Sequence, residues 1–310
     1  MKEAIWIGTR GSRLALWQAN WIKSNIEKNN PDFLVHIKII QTSGDKFLDV
    51  PLAQMGGKGL FVKEIEEELL EGEIDLAVHS MKDVPSDLPE GLQIGFYTNQ
   101  DDSRDVLVSK DKKKLFDLPR QGRIGTSSLR RQAQLLSARP DLRVFSIRGN
   151  VETRLRKLDE EKLDAVVMAS AGLKRLGLED RITEYIDPEI CLPAVGQGVL
   201  GLELRKSDGK LYEILSFLEE PETRIRMRAE RSFLKKLEGG CQVPIGALAT
   251  VKDGEIDLKG MVCSLNGESM IRESIQGNTL QAEELGKKLA EKILSQGGRE
   301  ILEDIYKKKI

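Results

Sequence analysis

The feature that most constrains the fold is a short pattern that occurs twice in the first 200 residues. Residues 7–12 and residues 124–128 both run from an apolar segment through Gly-Thr into an amphipathic segment. Residues 73–78 and 162–167 form a second similar pair, in the same order and at similar spacing. Because apolar runs that alternate with amphipathic helices are typical of parallel sheets, the repeat predicts two related α/β domains.

Individual elements can be predicted within this pattern. We expect strands at residues 4–8, 34–41 and 74–78, and a helix at 14–26. Phe61, Ile65 and Leu69 recur at every fourth position, which predicts a further helix that Gly72 ends. Residues 98–105 would carry the chain from the first domain to the second, and residues 193–198 would carry it back. We therefore expect the two domains to be hinged, with a cleft between them at the C-terminal ends of the strands.

The pattern changes after about residue 217. An Arg-rich helix is expected at 222–237, alternating strands from residue 245, and two helices at 280–296 and 300–306. Asp253-Gly254 and Asn266-Gly267 are typical of two-residue hairpin turns. We therefore predict three domains: residues 1–98 plus 199–216, residues 104–192, and a small α+β domain at 221–310 with a three-stranded antiparallel sheet.

Composition excludes several classes of function. The chain has 48 basic and 50 acidic side chains, a balance that argues against a nucleic-acid coat or a polybasic membrane anchor. It contains neither an apolar run of about 18 residues nor the apolar core of a secretory signal. Three widely spaced cysteines and two histidines are too few for a disulfide scaffold, a CxxC metal site or a multi-histidine centre. We expect a soluble cytoplasmic protein without a metal.

Arginine is concentrated in one part of the chain, since residues 120–181 hold 11 of its 21 arginines. Two clusters stand where a strand turns into a helix, a place that favours anions. A glycine-rich segment that includes Lys58 is a third candidate, and none of the three matches a nucleotide P-loop. Ordinary helix capping is the alternative interpretation of the Ser and Thr residues. The first two clusters comprise Thr9, Arg10 and Ser12, and Thr126, Ser127, Ser128, Arg130 and Arg131.

Two further segments carry groups suited to catalysis. Asp83, at a strand end beside Lys82, can hold a charge-stabilised carboxylate, although a surface turn is the alternative and His79 alone is more often structural. Cys241 lies in a glycine-flanked loop, where a thiolate would be a nucleophile. A lone cysteine is usually a small buried apolar residue, and Cys191 and Cys263 are expected to be structural.

Taken together, these segments resemble the porphobilinogen deaminases, also called hydroxymethylbilane synthases. The resemblance extends in one order through all three expected domains. It is carried by residues 9–15 (TRGSRLA), 56–61 (GGKGLF), 79–85 (HSMKDVP), 125–131 (GTSSLRR), 148–151 (RGNV), 192–198 (LPAVGQG) and 238–244 (EGGCQVP).

The resemblance implies a chemistry. The enzyme would join four porphobilinogen molecules head to tail, lose one ammonia each time, and release the linear tetrapyrrole by hydrolysis. A dipyrromethane cofactor, held through a thioether to Cys241, would start the chain. The expected fold class is α/β, with two doubly wound, periplasmic-binding-protein-like domains and a hinge, followed by the small C-terminal α+β domain. We expect a monomer that contacts neither nucleic acid nor a membrane.

Roles for particular residues follow from the resemblance and from charge. Each porphobilinogen carries an acetate and a propionate, so a cationic cleft would hold the growing chain, and Asp83 would be the catalytic group. The expected carboxylate-binding residues are Arg10, Ser12, Gln18, Lys58, Lys82, Thr126, Ser128, Arg130, Arg131, Arg148, Arg154 and Arg175. The expected supporting residues are Asp45, Phe61, His79, Ser80, Asn150 and Gln197.

Two other functions are compatible with parts of the sequence. A two-domain cytosolic sensor for a dicarboxylate would use the same hinge and anion sites, but it leaves the loop around Cys241 unexplained. An Arg-rich RNA-binding protein is disfavoured by the balanced charge and by an aromatic content of 5%.

Overall fold

A computed structural model describes residues 3–46, 59–239 and 243–307. Strands and helices are numbered in chain order. The first sheet contains the first four strands of the chain and a fifth, β10, which comes after all the strands of the second sheet. They are β1 (Glu3–Thr9), β2 (Phe33–Ile39), β3 (Leu76–Ser80), β4 (Leu92–Tyr97) and β10 (Leu200–Arg205). The helices of this domain are α1 (Arg13–Asn29), α2 (Ser43–Lys46), α3 (Lys63–Glu71) and α7 (Gly209–Leu215).

The second sheet is built from the middle of the chain. Its strands are β5 (Asp105–Ser109), β6 (Arg123–Gly125), β7 (Arg143–Phe145), β8 (Ala165–Ala169) and β9 (Glu184–Tyr185). The helices that accompany it are α4 (Leu129–Ala138), α5 (Val151–Glu160) and α6 (Ser170–Arg175).

The two sheets share one topology. Their orders are β2-β1-β3-β10-β4 and β7-β6-β8-β5-β9, and the strand in the fourth position, β10 or β5, runs antiparallel to its neighbour β3 or β8. The repeat extends to single hydrogen bonds, since a carboxylate oxygen of Asp75 accepts from the Trp6 N–H and one of Asp164 accepts from the Arg123 N–H, both at 2.7 Å. The prediction of two related, doubly wound α/β domains is confirmed.

Each α/β domain is held together by apolar strand residues. In the first, Ile7, Val78 and Leu202 from three adjacent strands are buried against Ile22 and Ile26 of α1. Burial of side chains of this size contributes about 1.5–3 kcal/mol each. The spacing of Ile22 and Ile26 therefore fixes which face of α1 meets the sheet, and with it the direction of its N-terminus.

The C-terminal part forms an antiparallel sheet of order β11-β12-β13. Its elements are α8 (Pro221–Lys236), β11 (Ile245–Lys252), β12 (Glu255–Cys263), β13 (Met270–Asn278), α9 (Ala282–Ile293) and α10 (Arg299–Lys307). Phe233 of α8 and Leu289 of α9 are fully buried against the sheet. The predicted α+β unit, with three strands covered by helices, is confirmed.

One of the two hairpin predictions is right and the other is wrong. Asp253 and Gly254 have φ angles of 51° and 79°, and they join Lys252 directly to Glu255 as a two-residue turn. The second connection is longer, because the strands separate between Cys263 and Met270. There, Oγ of Ser264 donates to Oδ1 of Asn266 at 2.7 Å, so side chains close a wider loop.

Helix limits also differ from expectation in two places. Phe61 precedes α3, because the N–H groups of Val62 and Lys63 donate to the carbonyl of Gly59 and form a separate turn. The helix expected over 280–296 ends at Ile293, where a π-helical segment containing Gly297 at φ 107° leads to α10.

Two segments, residues 98–104 and 186–199, connect the α/β domains, and they lie side by side. The Asp101 N–H donates to the carbonyl of Gly198 at 3.2 Å. Gly198 has φ 90°, and a Cβ there would stand 2.4 Å from the carbonyl oxygen of Asp101. The two segments therefore approach as closely as only glycine allows.

Among the described residues, no helix has the length and apolar character that a bilayer span requires.

Candidate active site

A cavity lies where β1 and β3 end, beside the N-terminus of α1. Leu14, Ala15, Val62, Ile65 and Val78 form its apolar wall. Seven residues that the sequence singles out also line it, from three separate stretches of the chain. They are Arg10, Ser12, Gln18, Phe61, His79, Ser80 and Asp83.

Arg10 is held in place from two sides. Its guanidinium donates to both carboxylate oxygens of Asp45, and its Cζ lies 4.2 Å from the ring centroid of Phe61. Burial would raise the pKa of Asp45, but hydrogen bonds from Arg10 and from the Thr42 hydroxyl outweigh it and lower that pKa. Asp45 is thus ionised, and it orients Arg10 over the cavity.

The polar residues around Arg10 are also hydrogen-bonded. Oγ of Ser12 accepts from the Ala15 N–H at 3.2 Å and caps α1, so the capping interpretation holds for this residue. Nε2 of Gln18 donates to Oγ of Ser80 at 2.9 Å. The wall between α1 and β3 is therefore preorganised by the chain's own contacts.

Asp83 ends a short 3₁₀ turn, Met81–Asp83, that follows β3 and faces the second domain. Its carboxylate attracts the guanidinium of Arg154 on α5 and so favours the charged form. Burial and repulsion from Arg131 and Arg148 nevertheless lower the pKa of Arg154 to about 10. Burial likewise lowers the pKa of Lys82 to about 8, against the attraction of Asp83. Asp83 thus interacts with a cation from each α/β domain, Lys82 of its own segment and Arg154 of α5.

The second cluster of arginines has a partner that sequence analysis missed. Asp105, at the start of β5, is fully buried and accepts from Nη1 of Arg130 at 2.6 Å and from Nε of Arg131 at 2.9 Å. Nη1 of Arg130 also donates to the Leu192 carbonyl at 2.7 Å. Arg130 is therefore committed to internal contacts. So is Arg131, whose Nη2 lies 2.7 Å from Asp105 and whose Nη1 donates to the Val167 carbonyl at 3.1 Å, and its charge acts electrostatically on Lys82 and Arg154.

The N-termini of α4 and α5 have the polar caps expected there. Oγ1 of Thr126 accepts from the Ser128 N–H at 3.2 Å, and Oγ of Ser128 accepts from the Arg131 N–H at 3.4 Å. Asn150 caps α5 by accepting from the Thr153 N–H at 2.8 Å. These residues shape the two helix ends, where unpaired backbone N–H groups favour anions.

Arg175, expected to bind carboxylates, and Gln197, expected to support the site, both hold the connecting segments instead. Nε of Arg175 donates to Asp101 and Nη2 to the carbonyl of Gly198, both at 2.8 Å, so this side chain links the two crossings. Nε2 of Gln197 donates to Oδ1 of Asp105 at 2.9 Å. The contacts of both side chains are structural, because they fix the position of the two connecting segments relative to the second sheet.

His79 is paired behind the cavity wall. Its Nε2 lies 2.9 Å from Oε2 of Glu203 on β10, and both side chains are buried. Burial and repulsion from Glu203 raise the pKa of nearby Glu66 to about 7. Neither glutamate is recognisable from sequence, because β10 is distant in the chain and Glu66 belongs to an acidic helix.

A third contact that the sequence does not reveal comes from the C-terminal unit. Nη2 of Arg231, on α8, donates to the Pro85 carbonyl at 2.6 Å, and its Nη1 donates to the Val84 carbonyl at 3.3 Å. These carbonyls follow Asp83 directly, so α8 holds the segment that carries the candidate catalytic group.

Lys58 and Cys241 lie outside the described residues. The other two cysteines are buried free thiols, and burial and the nearby Asp105 raise the pKa of Cys191 to about 12. Across residues 3–46, 59–239 and 243–307, no group of three or more His, Cys, Asp or Glu is placed to hold a metal ion.

The fold and the site define a class: a two-domain α/β protein whose cleft, lined by cations and helix N-termini around one carboxylate, suits a ligand with several carboxylates. Comparison with known proteins identifies the family within this class. The family model described as porphobilinogen deaminase, dipyromethane cofactor binding domain, matches residues 5–213, and the one described as porphobilinogen deaminase, C-terminal domain, matches residues 224–295. The chain belongs to the porphobilinogen deaminase family.

Similar proteins extend over nearly the whole chain. The porphobilinogen deaminases of Pelobacter propionicus and Geobacter sulfurreducens are 56% and 55% identical over 98% of this chain and over 98% and 95% of their own lengths. A solved methionine-binding protein, MetQ, overlaps with 69% of this chain and 88% of that one, at 13% identity and a TM-score of 0.46. The family membership makes the chain an enzyme of tetrapyrrole synthesis, a hydroxymethylbilane synthase, and disfavours the dicarboxylate sensor.

Proposed function

We propose that this chain joins four porphobilinogen molecules head to tail with Asp83 as its catalytic group. The observation that carries this proposal is the position of Asp83, which follows β3, lines the cavity beside Arg10, and interacts with Lys82 and with Arg154 of the second domain. The cations would bind the acetate and the propionate of the substrate. The carboxylate would stabilise the positive charge that develops during the reaction.

The binding role falls to side chains from both domains. Arg10, held by Asp45 and Phe61, would bind a substrate carboxylate from the first domain. Arg148 and Arg154 would bind carboxylates from the second, and Arg131, held by Asp105 and the Val167 carbonyl, would add positive charge. The N–H groups at the starts of α1, α4 and α5 would add neutral donors. Arg130 and Arg175 support this surface from behind, because their hydrogen bonds go to the protein itself.

Asp83 would act on the nitrogen atoms of the substrate. When the amine of the aminomethyl group of one porphobilinogen departs as ammonia, its methylene carbon stays on the ring and positive charge develops on the pyrrole nitrogen, where a carboxylate nearby stabilises it. The same carboxylate would give a proton to the leaving amine and take up the proton lost from the α-carbon of the pyrrole that attacks. A shared proton carrier of this kind gives its proton as a carboxylic acid, stabilises the cation as a carboxylate, and returns to the acid when it takes up the proton from the α-carbon.

The dipyrromethane cofactor suits the residues that are present. Its two pyrrole rings would bring four carboxylates, and the side chains around Asp83 offer Arg10 beside an apolar wall, Lys82 on the same turn, and Arg154 of α5. When bound, the group supplies the pyrrole α-carbon to which the first substrate unit is added. We propose Cys241 as its thioether attachment point, on the strength of the family resemblance.

Replacement of Asp83 tests the assignment. Asp83→Asn keeps the size of the side chain but removes its charge and its basic oxygen, so turnover should fall by about 10²–10³-fold with little change in KM. Asp83→Glu should lose less, because the carboxylate remains. Asp87→Asn, four residues further on and paired with Lys235, is the matched control. Near-normal turnover of Asp83→Asn, or an equal loss in the control, would contradict the proposal.

We also infer that the enzyme is a cytoplasmic monomer with domain limits at 1–98 plus 199–216, 104–192 and 221–310. The resemblance supports these inferences, and the positions of the two connecting segments agree with the limits. Light scattering of the purified protein at several concentrations should give the monomer mass of 34.7 kDa, and a dimer mass would contradict the monomer.

A further inference from the structure

A second cleft lies on the far side of the Asp83 segment, and we call it the basic cleft. It is enclosed by α8, α9, α10 and the first domain's residues Ser86 and Tyr97, and it has a volume of about 810 Å³. Its floor is apolar, with Met227, Leu237 and Leu302 buried in it. None of the residues expected to bind substrate lines it.

Cations dominate the rim of the basic cleft. Three acidic side chains, Glu238, Glu283 and Glu303, share the lining with six cations, which leaves a surplus of three positive charges. The six cations are Arg228, Arg231, Lys235, Lys236, Lys287 and Arg299.

Several of these cations have no acidic partner to neutralise them. Lys287 is paired with Glu283 at 2.7 Å. Lys235 and Lys236 are paired with Asp87 at 2.6 Å and with Glu291 at 2.9 Å, two carboxylates outside the lining that reduce the surplus to one positive charge. Within the part of the chain that the structure describes, Arg228, Arg231 and Arg299 form no ion pair. Like charges that face one another across a cleft repel, so the arrangement favours an anion that can touch several at once.

We propose that the basic cleft binds a polyvalent anion bearing carboxylate or phosphate groups, and that its occupancy is transmitted to the segment that carries Asp83. A monovalent ion would meet one cation at a time, whereas a polyvalent one spans the rim and gains from several guanidinium and ammonium donors together. The apolar floor adds room for a ligand whose charged groups are mounted on a hydrocarbon or ring body.

The path to Asp83 is short. Arg231 lines the basic cleft and also donates to the carbonyls of Val84 and Pro85. An anion that attracts its guanidinium competes with those carbonyls and changes the restraint on the residues next to Asp83. An effect of the anion on turnover depends on the role proposed for Asp83. Binding of the anion in the basic cleft is independent of that role.

Calorimetric titration of the holoenzyme tests the binding. Pyrophosphate and citrate are the two probes, with sodium chloride at matched ionic strength as the blank, and their comparison distinguishes phosphate from carboxylate ligands. The triple variant Arg228→Gln, Lys287→Gln and Arg299→Gln should raise the Kd of the preferred anion by about 1000-fold, since each of the three lost charge-assisted contacts costs about tenfold.

A second triple variant controls for overall charge. Lys28→Gln, Arg120→Gln and Lys252→Gln remove three exposed cations elsewhere on the surface, and they should leave the Kd unchanged. If both triple variants weaken binding equally, or if the blank gives the same heat as the probes, the basic cleft is not a binding site.

Hydrogen exchange tests the transmission to Asp83. Saturating anion should change the exchange rate of the amides at Ser86, Asp87 and Leu88 in the wild type, and it should not do so in the rim variant. Binding without any change at these amides would overturn the link to the catalytic segment while leaving the binding site intact. Turnover with and without anion then reports on the role of Asp83 separately.

Discussion

Replacement of Asp105 by asparagine should destabilise the second domain more than any single surface change. Its side chain is fully buried, and besides Arg130 and Arg131 it accepts from Gln197 at 2.9 Å and from Sγ of Cys191 at 3.3 Å. Burial alone would raise the pKa of Asp105, but the two guanidinium groups outweigh it and hold that pKa well below its usual range. The carboxylate is therefore ionised at neutral pH.

The size of the effect follows from what the substitution leaves behind. Asparagine has nearly the same shape, but its amide group turns a donor toward one guanidinium and its neutral oxygen compensates neither charge. Removing one partner of a buried ion pair costs about 3–5 kcal/mol, because the remaining charge is left uncompensated. Two arginines share Asp105, so we expect a loss at the upper part of this range.

Urea unfolding at pH 7 measures the loss, followed by far-UV circular dichroism and by tryptophan fluorescence. Trp6, Trp17 and Trp21 all belong to the first domain, so fluorescence reports on that domain and dichroism reports on the whole chain. A loss of 3 kcal/mol corresponds to a midpoint shift of about 1 M urea or more. The shift should be larger by dichroism than by fluorescence.

A matched control and a pH series make the test decisive. Glu189 also stands between two cations, Lys259 at 2.6 Å and Arg272 at 3.4 Å, but it is 61% exposed, so Glu189→Gln should cost less than about 1 kcal/mol. Because the folded-state pKa of Asp105 is lowered, its contribution is present above the unfolded value of about 3.9 and is lost as the pH falls below it. Similar losses for the two variants at pH 7 would refute the reasoning.

Three further predictions concern other parts of the chain. Cys241→Ser should fold but carry no dipyrromethane, so its intact mass should equal that of the bare chain and it should give no colour with an acidic aldehyde reagent; an adduct that persists would place the attachment elsewhere. Glu66→Gln should gain about 3 kcal/mol relative to the wild type between pH 4.5 and 7, since the raised pKa of about 7 means that the wild type loses stability as it deprotonates. Denaturation at pH 5 and pH 7.5 measures this, and a difference independent of pH would contradict it. Gly198→Ala should cost about 2–4 kcal/mol, because its Cβ would collide with the Asp101 carbonyl. Gly72→Ala has a positive φ but open space around it, so it should cost only about 1 kcal/mol, and equal midpoint shifts would show that the collision is relieved.

Local sequence patterns predict much of this fold, because the strands and helices are specified by short-range periodicity. The repeated Ile-Gly-Thr segment marks the equivalent strands β1 and β6, and Gly72 ends α3 in the left-handed conformation as expected. Asp83 stands out for a similar reason, since a polar group directly after an apolar strand usually reaches the edge of a sheet where ligands bind.

Partners that are distant in sequence explain what could not be predicted. The sequence suggests that Arg130 and Arg131 are available to bind a ligand. In the structure both bind Asp105, which lies 25 and 26 residues earlier in the chain. The same holds for Arg231, whose carbonyl partners lie 146 and 147 residues away. No periodicity marks such pairs, because tertiary packing alone brings them together.

The place of β10 within the first sheet has a consequence for synthesis of the protein. This strand pairs with β3 on one side and β4 on the other, yet it begins at Leu200, whereas β4 ends at Tyr97. A nascent chain that has released β4 from the ribosome therefore has two unpaired strand edges and a gap between them until the whole second domain has been translated. The second domain, whose five strands are continuous in the chain, is able to close its sheet first. Folding of this protein should thus begin in the middle of the chain and end with its N-terminal sheet, and a ribosome that stalls before Leu200 would leave an aggregation-prone product.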